Sequence, residues 1–67
     1  LMNNTLKVER AKLDLTQQQL ADKVGVSRQT INSIEAERYI PSTALAIKIS
    51  DVFKTSVNEI FTLEEDD

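Results

Sequence analysis

Apolar positions along the chain recur at helical spacing. Leu45, Ile49, Val52 and Phe53 form one stripe, Leu20 and Val24 stand four apart, and Ile31 and Ile34 three apart. Residues three and four apart share a helix face, so the pattern predicts amphipathic helices that bury one side. Five short helices follow, at about residues 5–12, 17–24, 28–36, 43–53 and 57–61. None is long enough to hold in water alone, since isolated helices shorter than about 12 to 15 residues are marginal. They must pack on one another.

The punctuation between the stripes agrees. Thr16 with Gln19 makes a T-x-x-Q capping box and Ser56 with Glu59 an S-x-x-E one, each predicting a helix start. Ser27 is a further N-cap candidate, as is Ser42, which follows Pro41, where a helix cannot continue. Only Gly25 and Val26 separate Val24 from Ser27. A glycine just past a helix end takes the left-handed conformation without a Cβ penalty, and a serine two residues later starts the next helix. Gln17, Ala21, Gly25, Ile31 and Ile34 thus have the spacing of a helix-turn-helix unit. Ala21 is small where the third helix passes close. Leu20, Val24, Val26, Ile31 and Ile34 form the wedge between the two helices.

On a wheel of about 100° per residue with Arg28 at zero, Asn32, Ala36, Gln29 and Ser33 fall between about 40° and 140°. Thr30, Ile34 and Ile31 fall between about 200° and 300°, and Glu35 at about 340° leans toward the core side. The outer face of the third helix therefore offers Arg28, Gln29, Asn32 and Ser33 and no carboxylate, in a chain with eleven acidic residues. Arginine can hold guanine O6 and N7 with two hydrogen bonds, glutamine or asparagine adenine N6 and N7, and a carboxylate there would face phosphates. A polar helix face is ordinarily polar for solubility, and taken alone this face favours that plainer reading.

Composition narrows the remaining possibilities. At 67 residues the chain is one domain (residues 1–67), and a domain of that size buries only about 60% of the surface its unfolded chain exposes. There is no cysteine, which excludes disulfides, and no histidine, which together exclude a Cys/His metal site. Well-packed helices and self-association are what is left to stabilise it. With one glycine and one proline, the fold class expected is all-α. No apolar run approaches the roughly 18 residues that span a bilayer, so a cytoplasmic protein without a membrane partner is expected. Met2 reads as the natural start, with Leu1 an addition. The net charge is -3, but four acids form the terminal run Glu64 to Asp67, and without them eight basic residues face seven acidic ones. Such a near-neutral body excludes strong non-specific adhesion to nucleic acid and leaves room for a small placed patch.

The stretch "LTQQQLADKVGVSRQTINSIEAERYIPSTALAIKISDVFKTSVNEIF" resembles the DNA-binding domain of the Cro and phage-repressor (Xre-type) helix-turn-helix proteins, over roughly Leu6 to Phe61. The resemblance implies a compact five-helix domain, commonly a dimeric repressor, whose third helix lies in the major groove. Carried over residue by residue, it implies that Ser27, Arg28, Gln29 and Ser33 reach base edges. Gln17 matches a phosphate-binding glutamine, Asn32, Arg38 and Tyr39 match positions at or near the DNA backbone, and Thr16 is a weaker backbone candidate. An ion pair between the first and third helices maps onto Arg10 and Glu35, in line with the inward lean of Glu35 on the wheel. Two departures stand out: Asp14 and Glu37 occupy places where the family often has glycine, so each either holds a left-handed bend at a cost of about 1 kcal/mol or sits in a changed turn. Glu37 also brings a negative charge, and Ala36 lacks a polar side chain, close to the expected phosphate path.

One recognition helix contacts only a few base pairs, and a twofold dimer on a palindromic operator doubles the readout. Ile60, Phe61 and Leu63, at the end of the fifth helix, are the expected dimer surface, or else they fold back on Val57 and Phe53. The function expected is therefore a sequence-specific regulator of transcription, a repressor that occupies its operator as a homodimer. A protein-interaction module of the same fold, like an antitoxin or antirepressor, is the alternative. No catalytic constellation stands out, so no enzyme is expected, and no cofactor or small-molecule ligand is implied.

Overall fold

The computed structural model describes residues 2–64; Leu1 and residues 65–67, most of the acidic run, lie outside the described residues. In chain order it holds β1 (Met2–Asn4), α1 (Leu6–Leu13), α2 (Gln17–Val24), α3 (Arg28–Glu35), α4 (Thr43–Phe53), α5 (Val57–Ile60) and β2 (Phe61–Leu63). Four helix starts are capped as their sequences predict. Thr16 and Gln19 exchange both bonds of a capping box, and Ser27, Ser42 and Ser56 accept from the backbone N–H three residues on. The Ser56–Glu59 pair departs in one detail, because the Glu59 carboxylate accepts from the Ser56 hydroxyl at 2.9 Å.

All four longer helices stop in the same way. The residue just past, or one beyond, the helix end turns left-handed at Asp14 (φ 58°), Gly25 (φ 74°), Glu37 (φ 62°) and Lys54 (φ 52°). The next residue then donates its N–H back five places, from Leu15 to Arg10, Val26 to Ala21, Arg38 to Ser33 and Thr55 to Ser50. This closure satisfies carbonyls that a helix end would otherwise leave unpaired. Asp14 and Glu37 therefore keep the left-handed bend without glycine, and Lys54 does the same with no cue in the residues around it.

Leu6, Leu20, Ile31, Ile34, Ile49 and Ile60 are fully buried at the centre, with Ala21, Val24, Leu45, Ala46, Phe53 and Phe61 around them. Each large aliphatic side chain removed from water contributes about 1.5 to 3 kcal/mol. α2 and α3 share the most extensive contact between elements, over a fully buried Ala21.

The expected all-α, five-helix class holds, with one small two-stranded sheet added to it. β1 and β2 pair antiparallel, Met2 opposite Leu63, Asn3 opposite Thr62 and Asn4 opposite Phe61. α5 ends at Ile60 rather than Phe61, whose backbone is extended (φ -116°, ψ 132°). α1 begins at Leu6, where the Asn4 side-chain oxygen accepts the Leu6 N–H at 3.1 Å, while Thr5 makes no side-chain cap. Thr5 instead donates its N–H to the Ile60 carbonyl at 3.0 Å and so joins the two ends of the fold.

The three residues expected either at a dimer surface or folded back on the chain divide between core and surface. Ile60 is fully buried and Phe61 is 7% exposed, both in the core of a single chain. Leu63, at 64% exposure, is the one of the three that still faces solvent.

Candidate nucleic-acid interface

Glu35 is the hub behind the outer face of α3. Arg10 of α1 donates from Nε to Glu35 Oε2 at 2.6 Å and from Nη2 to Glu35 Oε1 at 3.0 Å, a two-pronged pair, and from Nη1 to the Leu15 carbonyl at 2.9 Å. Gln17 of α2 adds its Nε2, 3.1 Å from Glu35 Oε1. One carboxylate thus ties three helices. The hydrogen bond from Arg10 to Glu35 raises the Arg10 pKa above its ordinary value, burial working against it and the Glu35 charge with it. The side chains of Arg10 and Glu35 are only 14% and 9% exposed, so this is no solvent-screened surface pair. Glu35 is turned inward, as the wheel implied.

That inward turn leaves the outer face of α3 free of carboxylates. Arg28 and Gln29 are exposed, and Asn32 and Ser33 are half-buried. Ser27, Gln29, Thr30 and Ser33 of the helix and Arg38 and Tyr39 of the following loop line one open groove. Arg28 and Asn32 lie outside that lining, and Arg38 Nη2 donates to Asn32 Oδ1 at 3.3 Å, joining the loop to the helix. Five of the candidate contact residues, Ser27, Gln29, Ser33, Arg38 and Tyr39, are therefore brought together in one groove, positioned by the capped start of α3 and the left-handed bend at Glu37.

Three assignments gain a structural duty. Ser27 Oγ accepts the Thr30 N–H at 3.2 Å and lies 3.1 Å from Thr30 Oγ1, so the residue caps α3 as well as lining the groove. Thr16 Oγ1 accepts the Gln19 N–H at 3.0 Å. Gln17 has one N–H on Glu35, leaving its other N–H and its carbonyl for outside partners. Thr30 was missed by the wheel, which put it at the edge of the buried side. A hydroxyl at the margin of an apolar stripe is the signal that could have found it.

Asn4 is a second residue that pattern alone does not reveal. Its Nδ2 donates to the Ile34 carbonyl at 2.8 Å while its Oδ1 caps α1, so β1 holds the C-terminal end of α3 in place. A rigid support of this kind fixes the helix whose face is offered outward.

A family model described as helix-turn-helix matches residues 6–60. An uncharacterised HTH-type transcriptional regulator of Methanocaldococcus jannaschii is 50% identical over 66 residues, covering 98% of this chain and all of that one. The HTH-type transcriptional regulator YgzD of Bacillus subtilis is 42% identical, over 97% of this chain and 98% of its own. Among solved structures, a protein from Bacteroides fragilis superposes with a TM-score of 0.80 at 24% identity, covering 92% of this chain and 100% of that one, which shows the shared fold. The chain belongs to the Xre/Cro-like helix-turn-helix family of DNA-binding transcriptional regulators.

Proposed function

We propose that the chain is a sequence-specific repressor that binds a palindromic operator as a homodimer, with α3 in the major groove. The observation that carries this reading is the carboxylate-free outer face of α3, whose one acid, Glu35, is held inside by Arg10 and Gln17. Ser27, Arg28, Gln29 and Ser33 are assigned to base edges. Thr16, Gln17, Asn32, Arg38 and Tyr39 are assigned to the sugar-phosphate backbone, which positions the helix without carrying sequence. Thr30 joins the first group because it lines the same groove. Occupancy of the operator is the proposed means of repression.

In vitro selection from a random duplex pool tests the reading. A specific binder enriches a two-part site with inverted repeats about one helical turn apart. A pool that shows no enrichment refutes it.

One observation favours a second reading, a protein-interaction module. The chain without its terminal acids is near neutral, and Ile40, Ile47 and Leu63 are about half exposed or more. A module of that kind would bind a protein and show neither a selectable DNA site nor a fall of affinity with salt.

A further inference from the structure

The groove beside α3 is walled by Ser27, Gln29, Thr30, Ser33, Arg38 and Tyr39 and has a volume of 340 Å³. Pockets that hold small molecules begin at about 300 Å³. Every wall residue ends in a hydrogen-bonding group, four of them hydroxyls, and none is a carboxylate. Two other hollows among the described residues are lined mainly by aliphatic side chains, one by Leu13, Leu15 and Val52 and one by Met2, Ile40, Ile47 and Val57. A small polar ligand is matched by this groove and by neither of those.

The walls keep donors to spare. The hydroxyls of Ser27 and Thr30 lie 3.1 Å apart, and only one of their two protons can bridge them. The other is left for an outside acceptor. Arg38 spends one N–H on Asn32, at 3.3 Å, which leaves four of the five on its guanidinium. Its charge has no ion-pair partner among the described residues. A guanidinium flanked by hydroxyls is suited to a phosphate, whose oxygens accept from a planar fork of N–H groups. The other walls are suited to a base. Gln29 carries an amide that can meet adenine N6 and N7 with two hydrogen bonds, and Tyr39, 50% exposed, offers a ring face on which a base can stack.

We infer that this groove is also a site for a free nucleoside monophosphate, with its phosphate on Arg38 and the hydroxyls and its base against Gln29 and Tyr39, and that such a ligand displaces the duplex. The displacement rests on the DNA-binding reading above, whereas the site itself does not. Groups assigned there to base edges and to the sugar-phosphate backbone are gathered in one hollow, so a single nucleotide meets both kinds at once. The groove is open, so it covers only part of the ligand and holds it reversibly. Occupancy then follows the concentration of the free nucleotide, and the duplex is released in step with it.

The test follows the backbone amide resonances of the full chain while AMP, adenosine or inorganic phosphate is added at constant ionic strength. AMP should shift the amides of residues 27–33 and 38–39 saturably, and adenosine and inorganic phosphate should each bind at least about tenfold more weakly. Arg38→Gln should weaken AMP by about tenfold and leave adenosine unchanged, whereas Gln29→Ala should weaken both. Lys23→Gln removes one positive charge outside the groove and should leave AMP binding as it is. AMP that replaces chloride at equal ionic strength should raise the apparent Kd for the selected duplex, about twofold when AMP stands at its own Kd. Shifts scattered over the whole surface, equal losses in Arg38→Gln and Lys23→Gln, or equal binding of AMP and adenosine overturn the site. AMP that binds in the groove and leaves duplex affinity unchanged overturns the displacement. If the full chain selects no duplex at all, the DNA-binding reading fails, and the resonance shifts then judge the site alone.

Discussion

Gln29 and Arg28 carry the most exposed polar groups on the outer face of α3. Alanine at either is expected to cost about 1 to 3 kcal/mol at the selected site and to relax preference at one base pair. Competition with single-base variants of the site reads both effects. Gln17→Ala should instead weaken every duplex alike, because a backbone contact carries no base information. The bond from Gln17 to Glu35 adds a stability cost to that variant, so its folded fraction must be measured beside its affinity. Behind the face, Arg10→Met leaves the Glu35 carboxylate with Gln17 as its one remaining side-chain partner among the described residues. Loss of hydrogen bonds to a charged group is worth about 1.5 to 3 kcal/mol, which in a domain of this size lowers Tm by about 4 to 8 °C per kcal/mol. The sign of the pH dependence follows from the raised Arg10 pKa. A cation with a raised pKa stabilises the fold at every pH below its unfolded value, far above neutrality, and loses that contribution only as pH rises through its folded value. The Tm difference between the two proteins should therefore stay constant from neutral to mildly alkaline pH, as calorimetry would show.

The helices were legible because each carries its own signals: serine or threonine caps, apolar stripes at three and four, and the glycine between α2 and α3. The two strands were not. Each has three residues, too few for an alternation to register, and Met2–Asn4 reads as a polar start to the chain. What makes them strands is tertiary: Thr5 bonding to Ile60, and Asn4 reaching both Leu6 and Ile34. Asn4→Ala removes both of the latter bonds and should cost about 1 to 3 kcal/mol, lowering Tm and loosening the end of α3. The left-handed bends were half legible. Asp14 and Glu37 drew notice as substitutes for an expected glycine, while Lys54 has no cue in the residues around it. Glycine at Asp14, Glu37 or Lys54 relieves the Cβ clash and should raise stability by up to about 1 kcal/mol each, seen as a higher Tm. The residues assigned to base edges were legible as a polar face, and only the resemblance supplied a use for it. Thr30 escaped since a wheel sorts residues by angle and not by what the next loop places beside them.

At the scale of the whole molecule, charge and shape act together. A body with eight basic residues against seven acids, its terminal run apart, has little general attraction for a polyanion. On the proposed reading, binding comes from a few placed groups, Arg28, Gln29, Ser33, Arg38 and Tyr39, and from the doubling that a second copy would supply. Fold and core were readable in outline from the sequence. Ile60 and Phe61 looked like an unfinished surface because nothing in their sequence shows that β1 returns to cover them, and the exposed isoleucines at positions 40 and 47 look like ordinary helix and loop residues until Met2 and Val57 are brought beside them. No helix among the described residues is long and apolar enough to cross a membrane.

The central claim is that the outer face of α3 reads duplex DNA. Its most direct test is to titrate the full chain against its selected duplex and against the same base composition in scrambled order, at several salt concentrations. The account predicts nanomolar-range affinity for the selected duplex, at least about a thousandfold weaker binding to the scrambled one, and log K falling linearly with log salt for both. Equal affinity for the two duplexes, or no binding to either, would contradict it.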